Sequence, residues 1–397
     1  HVVPVALICS WLLLLLHTAF GQKPAKLPLI GRKPFIAAWN APLDMCTIKY
    51  NISTNIDRLF HIYGSPRAEW TGQNITIFYA NRLGFYPHYT PQGVAVHGGL
   101  PQNCSLDLHL FKAYQDITHF IPAQDFRGLA VIDWEFWRPQ WNRNWHKKDI
   151  YRRRSKELTA KAYVNVTELQ VEELARRRFE KSAKAFMQRT IQLGIRLRPN
   201  TLWGFYLYPD CHNYNLHEQN YSYTGRCSEK TKWQNDQLLW LWEKSKALFP
   251  SVYISQSLGN STFAKLYVRN RVQEAMRVAE LPHRPHTVPV YVYSRPLFRD
   301  QSSTFLSQGE CESLSRYLKS TLNPYIANVT AAAMLCSRVL CQGKGRCTRK
   351  NYDSTHYLHL NPSHFNISQV KGTYVARGIP SVADVDTLSE HFTCQCY

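Results

Sequence analysis

The sequence predicts an α/β fold in which short buried strands alternate with helices, followed by a small cysteine-rich segment. Apolar runs without strict alternation are typical of parallel strands covered on both faces. Helical patterns separate these runs over roughly 300 residues, a size that favours a (β/α) TIM-like barrel over a doubly wound sheet. Hydrophobic residues make up 44% of the 397-residue chain, which provides a buried core and excludes wholesale disorder.

The predicted strands are apolar runs bounded by polar or turn residues. They lie at Phe35–Trp39, Ile75–Tyr79, Leu129–Trp134, Leu202–Tyr208, Val252–Ile254 and Val288–Tyr293. No Gly-x-Gly-x-x-Gly follows any of them, and no Gly-x4-Gly-Lys-Ser/Thr occurs, so no nucleotide cofactor is expected. We expect the protein to need no cofactor.

The clearest predicted helix begins at a capping box, Thr167-x-x-Gln170, and stops at Pro199. Apolar or small residues recur along it at helical spacing, from Ala175 to Leu193. Two further helical patterns cover Leu238–Leu248 and Val268–Ala279.

Residues 1–21 are predicted to be a signal peptide. They contain the apolar run Trp11–Leu16 and end in a small-x-small pattern. A membrane anchor is the alternative, but the strongly apolar part is short for a span. Eight Asn-x-Ser/Thr sequons support the secretory pathway, with the chain secreted, at the cell surface or in the lysosome; they lie at Asn51, Asn74, Asn103, Asn165, Asn220, Asn260, Asn328 and Asn366.

The net charge of +20 predicts an anionic partner. Passage through the secretory pathway argues against nucleic acid, which leaves an anionic polysaccharide or a membrane surface. Membrane attachment is expected only through an anchor that would lie beyond Tyr397.

Cysteine spacing divides the chain into a barrel at residues 22–332 and a small module at 333–397. The pattern C-x4-C-x5-C from Cys336 to Cys347, followed by Cys394 and Cys396, resembles an epidermal-growth-factor-like (EGF-like) module that stops short at its C-terminus. A zinc site is the alternative, but no Cys-x2-Cys pair occurs, so we expect no metal.

Candidate chemistry lies in the segment GLAVIDWEFWRPQW (128–141), where an apolar run ends in Asp133 and Glu135. Residues i and i+2 of a strand point to the same side, about 6.5–7 Å apart. Two carboxylates that close share a proton, and the surrounding aromatic residues would raise a pKa further. Such a group can protonate a glycosidic oxygen. An ordinary ion pair with Arg138 is the alternative, and spacing alone does not decide between the two.

Eight segments resemble the hyaluronidase family of glycoside hydrolases. They are VIDWEFWRPQWNRNW (131–145), KPFIAAWNAP (33–42), TIFYANRLGFYP (76–87), GGLPQN (98–103), LWGFYLYPDC (202–211), NDQLLWLW (235–242), LYVRNRV (266–272) and NPYIANVT (323–330). The resemblance implies a (β/α) barrel that cleaves β-1,4 N-acetylhexosaminide bonds in hyaluronan, and in some members chondroitin.

The resemblance also implies roles for individual residues. Glu135 would be the general acid and Asp133 would hydrogen-bond it and help hold the substrate acetamide, whose carbonyl attacks its own anomeric carbon. Tyr206 would position that acetamide. The remaining implied substrate-binding residues are Tyr267, Arg271, Tyr86 and Trp137. Without the resemblance, these aromatic residues would be interpreted as core.

The same resemblance suggests the disulfide pairs Cys46–Cys311, Cys211–Cys227, Cys336–Cys347 and Cys341–Cys394. Cys396 would pair with a cysteine beyond Tyr397. Cys104 has no counterpart in the family and is expected to be free.

The sequence departs from the family after FRDQSSTFLSQ (298–308). One βα unit, roughly 30 residues, and an active-site Trp are lacking there. We expect a barrel that is strained or open beside the strand at 288–293, with little hydrolysis. Two functions therefore stay open: a hydrolase of hyaluronan or chondroitin, and a non-catalytic relative that binds these anionic polysaccharides.

Overall fold

The structure is a computed structural model that describes residues 22–53, 56, 59–66, 68–214, 223–300 and 307–397. The predicted signal peptide and the sequon at Asn220 lie outside the described residues.

Short parallel strands form the wall of a barrel. β3, β6 and β7 make a parallel sheet in that order, while β1 pairs in parallel with β2, and β4 with β5 is a small antiparallel pair. Beyond β7 the wall continues as single parallel bridges from Tyr206 to Phe249, Leu248 to Val290 and Ser251 to Tyr293. The bounds are β1 (Ala38–Trp39), β2 (Ile62–Tyr63), β3 (Ile75–Tyr79), β4 (His88–Tyr89), β5 (Ala95–Val96), β6 (Leu129–Asp133) and β7 (Leu202–Phe205).

Helices cover the outside of this wall and continue the chain beyond it. They are α1 (Asp44–Tyr50), α2 (Leu106–Phe120), α3 (Asp149–Ala162), α4 (Glu168–Leu197), α5 (Glu229–Asp236), α6 (Leu239–Trp242), α7 (Thr262–Glu280), α8 (Gln308–Tyr317) and α9 (Asn323–Cys341).

The predicted start and stop of α4 are confirmed. The Thr167 side chain accepts a hydrogen bond from the Gln170 N–H, and the Gln170 side chain accepts one from the Thr167 N–H. The predicted apolar stripe is buried from Ala175 to Leu193. This face packs against α2 and the sheet, where Phe78 of β3 stacks on Trp203 of β7 with ring centroids 5.4 Å apart.

The predicted helix at Leu238–Leu248 is wrong in its second half, and the strand at Val252–Ile254 is displaced. α6 ends at Trp242, and Leu248 already belongs to the barrel wall, because its N–H donates to the Pro289 carbonyl at 2.9 Å. The leucine and tryptophan run looked helical, yet Leu248 is 1% exposed as a wall residue.

The barrel wall is not closed between residues 288–294 and 35–41. No backbone hydrogen bond joins these two described segments. Side chains connect them instead: the Asn40 amide donates to the Tyr293 hydroxyl at 3.0 Å. Nearby, Cys46 of α1 and Cys311 of α8 form a disulfide, beside which Trp39 is buried.

α8, the π-helical turn Leu318–Leu322 and α9 run on as one helix, so the domain boundary predicted after residue 332 falls inside a helix. This stretch, Gln308–Cys341, is long and apolar enough to cross a membrane by length and composition. Here it packs on the barrel and the C-terminal module.

The module contains two antiparallel strand pairs and a helix: β8 (Gly345–Arg349) with β11 (Phe392–Cys396), β9 (Phe365–Val370) with β10 (Thr373–Gly378), and α10 (Val382–His391).

The described residues contain four disulfides, which are the pairs that the resemblance implied: Cys46–Cys311, Cys211–Cys227, Cys336–Cys347 and Cys341–Cys394. Cys104 and Cys396 are free thiols. Burial raises the pKa of the Cys104 thiol to about 11. Of the seven described sequon asparagines, Asn328 alone is half-buried, where its side-chain oxygen accepts from the Leu360 N–H.

Candidate active site

The predicted carboxylate pair lies at the carboxyl end of β6, where Asp133 is opposite Tyr79 of β3. Asp133 and Glu135 line one cavity of about 780 Å³. Glu135 is exposed to it, whereas Asp133 is half-buried. The Asp133 Oδ1 atom is buried and has no hydrogen-bond partner among the described residues, so it is available to a ligand.

The electrostatics of the pair match the sequence prediction of a raised pKa. Burial raises the pKa of Asp133 to about 8, and the charge and hydrogen bonding of Glu135 contribute to the rise. The pair therefore holds a proton at neutral pH. Among the described residues, no ion pair joins Arg138 to either carboxylate. The structure therefore does not contain the ion pair that was the alternative. The Arg138 guanidinium instead donates to the backbone carbonyl of Glu135 at 3.0 Å.

Two cationic side chains hold the backbone of Glu135. Besides Arg138, the Lys148 ammonium donates to the carbonyls of Glu135 and Phe136. Burial and, to a smaller extent, repulsion by Arg138 lower the pKa of Lys148 to about 8. These contacts fix the loop that carries Glu135 through its backbone carbonyls and do not use its carboxylate.

Phenols form the next wall of the cavity. Tyr206 follows β7, and its ring centroid lies 5.2 Å from that of Tyr293 and 6.3 Å from that of Tyr253. Burial raises the pKa of Tyr206 far above its ordinary value, and the neighbouring Tyr253 contributes a smaller part of the rise. The Tyr206 hydroxyl therefore stays protonated and can donate a hydrogen bond. All three tyrosines line the same cavity as the carboxylates.

Sequence reasoning missed Tyr253 and Tyr293 as site residues. Both stand where segments of the wall end, at the bridge from Ser251 to Tyr293. Because active sites of parallel barrels gather at the carboxyl ends of strands, this position was the available signal. The prediction placed Tyr253 inside a strand, which hid it.

Two of the predicted substrate-binding residues are buried behind the carboxylate loop. Tyr86 stacks on Trp134 with centroids 4.5 Å apart, and its hydroxyl accepts from the Trp137 N–H at 3.4 Å. The Trp137 indole donates to the Pro87 carbonyl at 2.8 Å. Neither lines the cavity, and direct contact of Tyr86 or Trp137 with a substrate stays a prediction.

Tyr267 and Arg271 of α7 are also buried and support the site from outside the cavity. The Tyr267 hydroxyl donates to the Tyr253 carbonyl at 3.3 Å. Arg271 donates to the Ser251 carbonyl at 2.6 Å and pairs with Asp210 at 3.0 Å. Burial alone would raise the pKa of Asp210, but Arg271 and neighbouring cations hold it well below the ordinary value. Substrate contact by Tyr267 and Arg271 also stays a prediction.

This arrangement is suited to acid catalysis at an acetal or glycosidic oxygen. A barrel whose strand end presents two carboxylates and a held proton, beside protonated phenols, is the architecture of a glycoside hydrolase. Within the described residues, no group of three or more His, Cys, Asp or Glu side chains could hold a metal ion.

Comparison with known proteins identifies the family. The sequence profile described as Hyaluronidase matches residues 24–310 and 304–397. Human Hyaluronidase-4 is 47% identical over 423 aligned positions that cover 98% of this chain and 87% of that protein. Hyaluronidase PH-20 of Macaca fascicularis is 45% identical over 93% of this chain and 78% of its own. The chain belongs to the hyaluronidase family.

A solved structure shares the fold. Bee venom hyaluronidase in complex with a hyaluronic acid tetramer superposes with a TM-score of 0.62 at 28% identity, over 74% of this chain and 98% of that one. The chain therefore has the TIM-barrel type of α/β fold. The alignment with human Hyaluronidase-4 spans 423 positions, which is more than the 397 residues of the chain. The two matches to the family profile overlap at residues 304–310.

Proposed function

We propose that this chain is an endo-β-N-acetylhexosaminidase that cleaves β-1,4 bonds of hyaluronan, with Glu135 as general acid. The observation that carries the proposal is the presence of Asp133, Glu135, Tyr206 and Tyr253 around one cavity, with a proton held on the carboxylate pair. Hyaluronidase-4 and PH-20 as relatives support the substrate class. Chondroitin has the same alternation of N-acetylhexosamine and uronate, and we include it as a second substrate.

The proposed chemistry is substrate-assisted and retains the anomeric configuration. Glu135 gives its proton to the glycosidic oxygen as the bond to the anomeric carbon breaks. The acetamide carbonyl oxygen of the same sugar forms the new bond to that carbon. Water then opens the cyclic intermediate, and Glu135 accepts the proton that the water releases.

Asp133 and the phenols would hold the acetamide. The unpartnered Oδ1 atom of Asp133 can accept the acetamide N–H. Tyr206 and Tyr253 can donate to its oxygen, because their hydroxyls stay protonated. Arg295, which lines the cavity, can pair with a substrate uronate.

We also propose that the chain acts in the secretory pathway, at the cell surface or outside the cell. Four disulfides and seven described sequons support an oxidising compartment. The module at 333–397 is proposed to be EGF-like, on the basis of its cysteine spacing and its two local disulfides.

A second candidate function is binding of hyaluronan with impaired hydrolysis. The gap between residues 35–41 and 288–294 favours it, since we propose that one βα unit is lacking after Gln308. A looser pocket still attracts a polyanion, but it positions the sugar less well, and misplacement of a reacting group lowers the rate steeply.

Turbidimetric degradation of hyaluronan separates the two candidates. The purified chain is compared with a variant in which a relative's βα unit is inserted after Gln308, and Glu135→Gln is made in each background. We expect the insertion to raise the rate at least tenfold and the glutamine to lower it by about 10²–10⁴-fold. Equal rates with and without the insertion would contradict impairment by the gap, and hydrolysis that survives Glu135→Gln would contradict the proposed acid.

A further inference from the structure

The gap in the barrel wall presents two unpaired strand edges. In parallel strands, the peptide groups of alternate residues point to opposite neighbours. Tyr291 and Tyr293 donate to the carbonyls of Leu248 and Pro250, so Val290 and Val292 direct their peptide groups away from that neighbour. On the other side of the gap, the carbonyls of residues 37 and 39 accept from the N–H groups of His61 and Gly64, which flank β2, and this leaves Ala38 facing the gap. None of these outward groups has a backbone partner in the described part of the chain.

The cavity of about 780 Å³ runs along this gap from one end of the barrel to the other. Its walls include Ile36, Ala38, Val131, Leu202 and Val290. The stretch of the cavity beside these five residues is apolar, and apolar atoms that line an open space lack packing partners, which is destabilising. The space therefore favours an occupant that is itself apolar.

The end of the cavity opposite the carboxylates is a separate polar cradle. Arg346 Nη2, Tyr397 Oη and Thr287 Oγ1 are buried atoms that line the cavity and have no hydrogen-bond partner among the described residues. Lys26 also lines the cavity, and it follows Ala25, which bridges to Thr287. Three orphaned donors beside a second cation form a site for an anionic group.

The charge of Arg346 is only partly compensated. Its Nε donates to the Gln395 side chain at 2.8 Å, and Glu280 is the carboxylate that attracts it. Within the described residues, however, no ion pair joins Arg346 to any acid. A carboxylate brought into the cradle would supply that partner.

We propose that the gap binds an extended apolar peptide, which adds as a strand between residues 35–41 and 288–294 and places a carboxylate against Arg346. Strand addition satisfies the peptide groups of Ala38, Val290 and Val292, and alternate side chains fill the apolar walls. A fatty acid would fill the same walls and reach the same cradle. It has no backbone groups, so it would leave both edges unpaired, and the peptide is the better fit. The proposal concerns binding and does not depend on hydrolysis.

Fluorescence anisotropy with a synthetic peptide tests this. The probe is acetyl-Asp-Val-Thr-Val-Val-Thr-Val, labelled with fluorescein at its carboxyl end, titrated with the purified chain. We expect saturable binding. Changing the first residue of the peptide to Asn should weaken binding at least tenfold, since a charged hydrogen bond is lost. N-methylation of alternate peptide amides should abolish binding, because it blocks strand pairing without changing the side chains.

Variants of the chain locate the site. Arg346→Met should weaken binding of the Asp probe at least tenfold, whereas Arg338→Met, at an exposed position of α9, should leave it unchanged. Arg346→Lys keeps the charge, so its affinity for the Asp probe should lie between the affinities of the Arg346→Met and Arg338→Met variants. An intermediate affinity separates loss of the contact from loss of the fold.

Three results would overturn the proposal. The first is the absence of saturable binding. The second is equal binding of the N-methylated peptide together with displacement of the probe by dodecanoate, which would make the space a pocket for amphiphilic anions. The third is indifference to both the Asn probe and Arg346→Met, which would remove the cradle from the site.

Discussion

The two sides of the barrel wall differ in how their strands are joined. On one side β3, β6 and β7 pair continuously in parallel, and Asp133 ends the middle strand of the three. On the other side residues 35–41 and 288–294 share no backbone hydrogen bond. The carboxylate pair thus stands on the complete side. Its placement depends on β6 and its two neighbours, so an opening elsewhere in the wall leaves it in position.

The open side is held by different interactions. The disulfide Cys46–Cys311 closes a sequence separation of 265 residues there, and Leu314 and Leu318 bury their side chains beside it. Covalent and apolar contacts replace the hydrogen-bond ladder of the complete side. They keep the segments near each other without satisfying their peptide groups.

The largest expected effect lies on the complete side, at Glu135. Glu135→Gln should lower the release of reducing ends from hyaluronan by about 10²–10⁴-fold, because the amide cannot donate a proton to the leaving oxygen. Sedimentation with hyaluronan should show binding retained. Glu157→Gln, an exposed acid on α3 that pairs with Arg154, is the matched control and should leave the rate unchanged.

The next effect concerns the open side. Replacing Cys46 and Cys311 together by Ser should lower the free energy of unfolding by about 2–5 kcal/mol, since a long loop regains its freedom in the unfolded chain. The local pair Cys211–Cys227, with a separation of 16 residues, should cost less when removed in the same way. Urea unfolding of the two double variants measures the difference. Equal losses would contradict the dependence on loop length, and no loss for the Cys46–Cys311 variant would mean that the open side does not depend on its crosslink.

The smallest effect is a pH dependence at Asp133. Its pKa is raised to about 8 in the folded chain, so between about pH 4 and pH 8 the folded state binds more protons than the unfolded state. The free energy of unfolding therefore falls as pH rises through this range. Asp133→Asn removes that loss, and its melting temperature should exceed the wild-type value by about 1–4 °C at pH 8.

Below about pH 4 the Asp133 side chain is neutral, as is the asparagine that replaces it in the variant. The melting temperatures of the wild-type chain and of Asp133→Asn should therefore converge there. Scanning calorimetry at both pH values is the measurement. A constant difference at all pH values would show that the raised pKa is not the cause.

How much the sequence could predict also differs between the two sides. The complete side follows from local patterns: LAVID is an uninterrupted apolar run, and Thr167 with Gln170 marks where α4 begins. The open side follows from packing among distant segments. Leu248 resembles a helix residue locally, and only its bond to the Pro289 carbonyl makes it part of the wall. The burial of Tyr86 and Arg271 depends on partners far away in sequence, Trp134 and Asp210 among them, which no spacing rule reveals.

Hydrogen exchange along residues 288–294, resolved to single amides, tests most directly the claim that the barrel is open beside this segment. The amides of Tyr291 and Tyr293, which donate to Leu248 and Pro250 at 2.9 and 2.8 Å, should be protected. The amides of Val290 and Val292 should exchange at least about 100-fold faster, because they face the gap. Uniform protection of all four amides would contradict the claim and show that another strand closes the wall.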